Sequence, residues 1–181
     1  IINTYGADTA RWFMLSDSPP ERDLEWTETG ISSSFKLINK VWDLLQSFLE
    51  DYKDDDSKDN IALNEKLNQA IESITKNINE FHYNKSIANL YELINFIQKT
   101  MSNKSVSKDC LQEVFKSLSL LLQPFTPHLS EEVWKSLGFS DLAINQKWPL
   151  ASKIGKQKSC NIAIQIDGKT KDVLEFEINV S

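Results

Sequence analysis

The sequence predicts a mainly α-helical protein: an antiparallel helix bundle followed by a small α+β piece that begins with a β-hairpin. Apolar residues recur every three or four positions through most of residues 27–138, which is the spacing of one helix face. Short polar stretches separate these segments, and short loops favour antiparallel neighbours. From residue 161 onward, apolar and polar residues alternate around Asp167-Gly168, which is typical of a hairpin.

A short helix is predicted from Gly6 to Leu15, with the Asp8 carboxylate near its positive N-terminal end. Ser18-Pro19-Pro20 ends this helix, and the paired prolines predict an extended chain over residues 21–26. The next helix follows Thr27, and one apolar stripe runs along it. The stripe consists of Ile31, Phe35, Ile38, Trp42, Leu45, Leu49 and Tyr52. It is widened by Leu37, Val41, Leu44 and Phe48.

Three further long helices are predicted from the same spacing. Their apolar positions cover residues 63–81, 87–101 and 111–122, and the last of them is closed by Pro124. A tight corner is expected at 82–86, between the first two.

A shorter helix follows, and its signals are those of helix ends. Thr126 is expected to cap it, with Pro127 at its first position and Gly138 just past its end. Glu131 and Glu132 lie in its early turns, where negative charge is favourable.

The hairpin contains a conflict of register. A two-residue turn pairs Ile166 with Lys169, which puts Leu174 and Phe176 on the face opposite the isoleucines of the first strand. A bulge within residues 172–174 would bring the apolar residues onto one face. An isolated hairpin is only marginally stable, so this segment is expected to be part of a small second domain.

Composition and charge exclude several classes of protein. With 40% hydrophobic and 25% charged residues, the chain is close to the globular average, unlike disordered or collagen-like proteins. No apolar run approaches the roughly 20 residues of a membrane span, and no signal peptide is visible. Cys110 and Cys160 are expected to be free thiols in a reducing compartment. A cytoplasmic, non-membrane protein is therefore predicted.

The net charge of −6 hides an asymmetry. Residues 1–60 carry 6 basic and 13 acidic groups, giving −7, whereas residues 61–181 carry 14 and 13, giving +1. Because phosphate binding responds to local charge, the acidic sum does not exclude RNA.

No catalytic, cofactor or metal site is predicted. His82 and His128 lie on different predicted elements without a Cys, Ser or Asp at triad or metal spacing, and both are interpreted as structural. No two of the five glycines lie within ten residues of each other, which excludes Gly-rich phosphate loops. The residues themselves therefore indicate a binding or scaffold module.

Lysines give the positive functional signal. Lys36 and Lys40 lie at i and i+4, where two cations repel slightly, so an anionic partner would account for the pair; the alternative is that they are ordinary surface lysines. A second cluster flanks the predicted turn of the hairpin, where a phosphate backbone could approach. It consists of Lys153, Lys156, Lys158, Lys169 and Lys171. Trp42 and Trp134 fall at apolar helix positions and are expected in the core.

Several segments carry a family resemblance. They are Tyr5–Leu15 (YGADTARWFML), Ser18–Trp26 (SPPERDLEW), Lys40–Trp42 (KVW), Pro124–Trp134 (PFTPHLSEEVW), Trp148-Pro149 and Ile164–Lys169 (IQIDGK). They resemble bacterial-type leucyl-tRNA synthetases from just after the KMSKS loop into the start of the C-terminal domain. The Tyr-Gly-Ala-Asp and Pro-Phe-Thr-Pro-His elements are shared with valyl, isoleucyl and methionyl relatives. The segments Ser18–Trp26 and Gln165–Lys169 favour the leucyl family.

The resemblance implies four parts: the end of the catalytic region (1–26), a helical anticodon-binding domain (27–149), a linker (150–160) and a truncated C-terminal tRNA-binding domain (161–181). It implies tRNA and the rest of the synthetase as partners, with ATP and Mg used elsewhere in a monomeric enzyme. The HIGH, KMSKS and editing motifs are not among these residues, so this segment alone is predicted to be inactive. Asp167 and Lys171 depart from the family's usual Asn and Arg, and Lys lacks the two-pronged phosphate contact of Arg.

Three functions therefore stay open on the sequence. The first is the tRNA-binding part of a leucine-tRNA ligase. The second is the same domain of a valyl, isoleucyl or methionyl enzyme. The third is a helical module that binds protein, which the net acidity and the wide apolar stripes favour.

Overall fold

Seven α-helices make up most of the part of the chain that the computed structural model describes, residues 1–16, 23–53, 57–152, 159–166 and 169–177. The predicted helix end at 18–20 lies outside these residues. The helices are α1 (Ile2–Tyr5), α2 (Ala7–Ser16), α3 (Glu28–Asp51), α4 (Asn60–Asn79), α5 (Tyr83–Ser102), α6 (Lys108–Leu122) and α7 (Pro127–Ser136). The chain forms two units, Ile1–Ala151 and Ser152–Ser181. The mainly helical class is confirmed.

Capping side chains fix the starts of two long helices. The Thr27 hydroxyl accepts a hydrogen bond from the Gly30 N–H at the start of α3, as an N-cap residue should. Ser107 does the same for the Cys110 N–H at the start of α6. The short α1 was not predicted, because four residues are too few to show a periodic pattern.

The buried face of α3 is rotated from the predicted stripe. The positions thought to widen the stripe, Leu37, Val41 and Phe48, are buried, whereas Phe35 and Leu49 are exposed. Apolar residues cover more than half of the helix circumference, so their spacing alone does not show which part faces the core.

The predicted corner at 82–86 is also wrong, because Tyr83–Ser86 already form the first turn of α5. The connection between α4 and α5 is only three residues long, from Glu80 to His82. Phe81 adopts a left-handed backbone conformation with φ of 59°, which reverses the chain at once.

The core of the first unit is shared by α2 to α7. Leu63, Ile74, Leu90 and Ile94 are inaccessible to solvent where α4 packs on α5. After α7 the chain returns to this pair, because the Trp148 indole N–H donates to the Thr75 hydroxyl over 2.8 Å.

Cys110, on α6, is a free thiol, as predicted, and is half-buried. Burial raises the pKa of its thiol above the ordinary value of 9.0, partly opposed by a hydrogen bond from the Asn64 amide. The raised pKa favours the neutral thiol in the folded state.

This shift predicts a pH dependence. In a Cys160→Ser background, alkylation of Cys110 should be slower in the native state than in urea at the same pH. The contribution of Cys110 to the free energy of unfolding should be fully present below the thiol pKa of the unfolded chain. It should be lost as pH rises through the folded pKa, because the thiol ionises more readily in the unfolded chain. A Cys110→Ser variant should lack this alkaline loss, as urea titrations at several pH values would show. Equal alkylation of native and unfolded chains would contradict the prediction.

The described strands of the second unit pair antiparallel: β1 (Ser159–Ile166) and β2 (Lys169–Glu177). Ile166 pairs with Lys169, but Ile164 pairs with Asp172, so Lys171 is an extra residue in β2. The bulge thus precedes the predicted stretch 172–174. It places Leu174 opposite Ile162, which brings the apolar positions onto one face.

Candidate nucleic-acid interface

Lys36 and Lys40 lie one turn apart on α3; Lys36 is exposed, whereas Lys40 is partly buried. The Lys40 ammonium donates to Oδ1 of Asn95 on α5 over 2.7 Å. Lys36 lines a shallow surface cleft beside Tyr5 and Glu28. The two cations therefore have different surroundings and do not converge on one anion-sized pocket.

The other predicted lysines are less fully described. Lys153, Lys156 and Lys158 lie outside the described residues. The backbone places Lys169 at the start of β2 and Lys171 at its bulge. A role for these five lysines in binding RNA stays a prediction.

The structure joins two segments that are far apart in the sequence, through Asp8 on α2. Its Oδ2 accepts the Leu129 N–H over 2.7 Å, and its Oδ1 lies 2.8 Å from His128 Nδ1. Because an ionised carboxylate only accepts hydrogen bonds, the Nδ1 atom is the donor. Asp8 is 8% exposed, whereas the His128 side chain is 77% exposed.

Asp8 therefore performs the capping role that the sequence assigned to Thr126. Thr126 occupies the N-cap position of α7, but its side chain makes no capping bond and its hydroxyl faces the Leu122 carbonyl at 3.4 Å. The N–H that a cap usually binds is that of the third helical residue. Here this is Leu129, and its partner comes from 121 residues away.

Arg11 makes the second link between the same segments. Its Nη2 donates to the Pro124 carbonyl over 2.8 Å, and its Nε donates to the Phe125 carbonyl over 3.2 Å. These carbonyls lie between α6 and α7, where the helix ends leave acceptors unpaired. A guanidinium suits such a pair of acceptors, because it can direct two of its N–H groups at them side by side.

An aromatic cluster fills the space beneath these polar links. Trp12 is 1% exposed and packs edge-on against Tyr91 and Phe125, with ring centroids 5.7 and 6.3 Å apart. The Tyr-Gly-Ala-Asp and Pro-Phe-Thr-Pro-His segments are thus one structural unit. No connection between these two segments was predicted from the sequence. Asp8 and Arg11 lie one turn apart on α2, and this pair of opposite charges was the available signal that α2 could contact the Pro-rich junction between α6 and α7.

Glu131 also differs from its predicted role. Its two oxygens accept the N–H groups of Ala143 and Ile144 over 2.8 and 3.0 Å, and Gln123 donates to it over 2.6 Å. It therefore caps the 3-10 turn Ala143–Asn145.

A groove of about 600 Å³ lies between α2, α3 and α7. Its lining is mostly apolar and includes Tyr5, Phe35, Ile38 and Trp42, with His128 and Glu132 among the polar residues. Trp42 is thus only partly buried, whereas Trp134 is buried as predicted. Of the described residues that line the groove, none is Lys or Arg, so the groove suits an apolar partner better than a phosphate.

The residues that the structure describes contain no group of three or more His, Cys, Asp or Glu side chains that could hold a metal ion. None of the described helices combines the length and the apolar character needed to cross a membrane.

Residues 59–180 match the family model described as the anticodon-binding domain of tRNA ligase. The chain belongs to this family. The match begins at the residue before α4 and covers the remaining bundle helices and both strands.

Similar curated proteins agree with the family resemblance found in the sequence. The chain is 39% identical over 179 residues to a leucine-tRNA ligase of Dinoroseobacter shibae, covering 96% of this chain and 20% of that protein. It is 33% identical over 191 residues to the leucine-tRNA ligase of Prochlorococcus marinus, covering all of this chain and 21% of that protein. The chain therefore spans about a fifth of the length of these relatives.

A solved structure has the same fold. It is the LeuRS of Agrobacterium radiobacter in a ternary complex with tRNA and LeuAMS. The TM-score is 0.82 at 23% sequence identity, over 99% of this chain and 24% of that one.

Proposed function

We propose that this chain is the tRNA-binding portion of a leucine-tRNA ligase, which attaches leucine to its tRNA with ATP and Mg. The segment positions the tRNA, and the chemistry takes place in other parts of the enzyme. The observation that carries the proposal is the similarity to leucine-tRNA ligases over 96% of the chain at 39% identity. The LeuRS with the same fold was solved in a complex with tRNA.

The link between α2 and α7 supports a positioning role. Asp8 and Arg11 hold the segment that is expected to adjoin the catalytic region firmly on the bundle. A tRNA that is bound by the bundle then has a fixed orientation relative to that region. Positioning of this kind contributes to rate without any chemical step in the positioning domain.

The hairpin unit completes the proposal. We infer that it opens a small α+β domain whose lysines, with those of the 150–160 linker, contact tRNA phosphates. Residues 1–26 would then be the end of the catalytic region and 27–149 the anticodon-binding domain. A monomeric state and a cytoplasmic location stay predictions.

Titration of the 181-residue chain with leucine tRNA at two salt concentrations tests this function. Binding to phosphates releases counterions, so with three contacts the affinity should fall roughly tenfold or more between about 50 mM and about 200 mM salt. A Lys169→Gln/Lys171→Gln variant should bind more weakly and with a shallower salt slope. Fluorescence anisotropy of labelled tRNA measures both quantities.

A Lys66→Gln variant is the matched control. The Lys66 ammonium is already paired with Glu92 at 2.7 Å, so its removal should leave the salt slope unchanged. Absent or salt-insensitive tRNA binding would contradict the proposal. It would favour the alternative of a protein-binding module, for which the apolar groove is the supporting observation.

A further inference from the structure

The connection between α4 and α5 contains an exposed aromatic residue in a strained conformation. Phe81 has a φ of 59°. Its N–H donates to the Ile78 carbonyl over 3.0 Å, and the His82 N–H donates to the Asn77 carbonyl over 2.7 Å. This bond pattern closes many helices, and its left-handed residue is usually glycine because a Cβ atom is unfavourable there.

Packing does not account for phenylalanine at this position. Phe81 is 64% exposed, and its ring meets the Tyr83 ring edge-on, with centroids 6.0 Å apart. The turn after α5 has the same geometry, with Lys104 at φ of 49°. Lys104 is hydrophilic and well solvated, whereas Phe81 exposes apolar surface as well as straining the backbone.

Positive charge flanks this ring along the chain. Lys76 lies in the last turn of α4 and Lys85 in the first turn of α5, and both are exposed. Within the described part of the chain, neither ammonium has an ion-pair or hydrogen-bond partner. Two negative charges are also near in the chain: Glu72 lies one turn before Lys76 on α4, and Glu80 has its Oε2 3.3 Å from His82 Nδ1.

An exposed ring with an exposed lysine five residues before it and another four residues after it is suited to an unpaired nucleotide. Bases in RNA loops and ends are accessible for stacking on aromatic side chains, and neighbouring lysines attract the phosphates. A protein partner would have an apolar or acidic surface here, but it would not need these two lysines.

We propose that Phe81 is a stacking residue for an unpaired base of the tRNA, with Lys76 and Lys85 placed near the adjoining phosphates. This inference rests on the proposed function and names a contact within it. It also explains why the turn has phenylalanine where glycine would be less strained.

Phe81→Gly is the informative substitution, because it removes the ring and relieves the backbone together. The variant should be more resistant to urea than the wild type, and yet should bind leucine tRNA roughly tenfold more weakly at low salt. A merely structural role for Phe81 would not couple higher stability to weaker binding. Phe81→Trp should retain the affinity, and Phe81→Leu, which is apolar without an aromatic face, should lose most of it.

Lys104→Gly is the matched control, since it relieves the same strain at the other turn. It should also raise the urea midpoint, and it should change tRNA affinity by about twofold or less. If the wild type binds tRNA and Phe81→Gly binds as well as Lys104→Gly, the inference is overturned while the proposed function stands. If Phe81→Gly instead only reduces self-association of the chain in sedimentation, the ring is a protein contact and the inference again fails. Absence of wild-type binding would reject the proposed function itself.

Discussion

Replacement of Asp8 by alanine is expected to lower the free energy of unfolding of the helical unit by about 3 kcal/mol. The substitution removes the acceptor of the Leu129 N–H, and Leu129 is only 9% exposed. Water therefore cannot easily replace the carboxylate, and α7 loses its N-terminal cap. Urea titration followed by circular dichroism would measure the change.

Two other substitutions separate the contributions within this contact. Asp8→Asn retains an oxygen acceptor for the Leu129 N–H and should cost clearly less than alanine. His128→Ala removes only the largely exposed imidazole, so the expected cost is about 0.5 kcal/mol. If His128→Ala were as damaging as Asp8→Ala, the side-chain pair rather than the cap would hold α7 on α2.

The sequence could predict the long helices but not the contact that Asp8 makes with Leu129. Long helices were predictable, because the spacing of apolar residues is a local property that α3 to α6 share. The Asp8–Leu129 contact was not, because no local pattern connects residues 121 apart. Asp8 also had a satisfactory local explanation, as a negative charge at the start of its own helix.

The same limit applies to the candidate interface. Spacing showed that Lys36 and Lys40 share a helix face, but not that Asn95 of another helix accepts a hydrogen bond from Lys40. The apolar spacing made Phe81 the last position of the helix that became α4. In the structure α4 ends at Asn79, and Phe81 is an exposed residue in the turn that follows. A helical pattern does not indicate where a non-glycine residue will adopt a left-handed conformation.

Gly30→Ala is expected to lower the free energy of unfolding by about 2 kcal/mol, although alanine ordinarily strengthens a helix. A Cβ at residue 30 would lie 2.4 Å from Cε2 of Phe13 and 2.8 Å from the Thr27 hydroxyl. Phe13 is 2% exposed and packs edge-on against Trp26 at 4.9 Å, so its ring has little room to move. Either α2 shifts or the capping bond at the start of α3 is broken. Urea titration together with near-ultraviolet circular dichroism of the aromatic rings would detect both effects.

A smaller partner should compensate for the added methyl group. In a Gly30→Ala/Phe13→Leu double variant, the loss should be about 1 kcal/mol less than the sum of the two single losses, because leucine leaves room for the Cβ. Ser33→Ala, at an exposed position on the same helix, is the control for helix propensity and should change stability by less than about 0.5 kcal/mol. Additive losses in the double variant would show that contact with Phe13 is not the cause. The crowding would then lie at Thr27, and the α3 cap would be the feature that requires glycine.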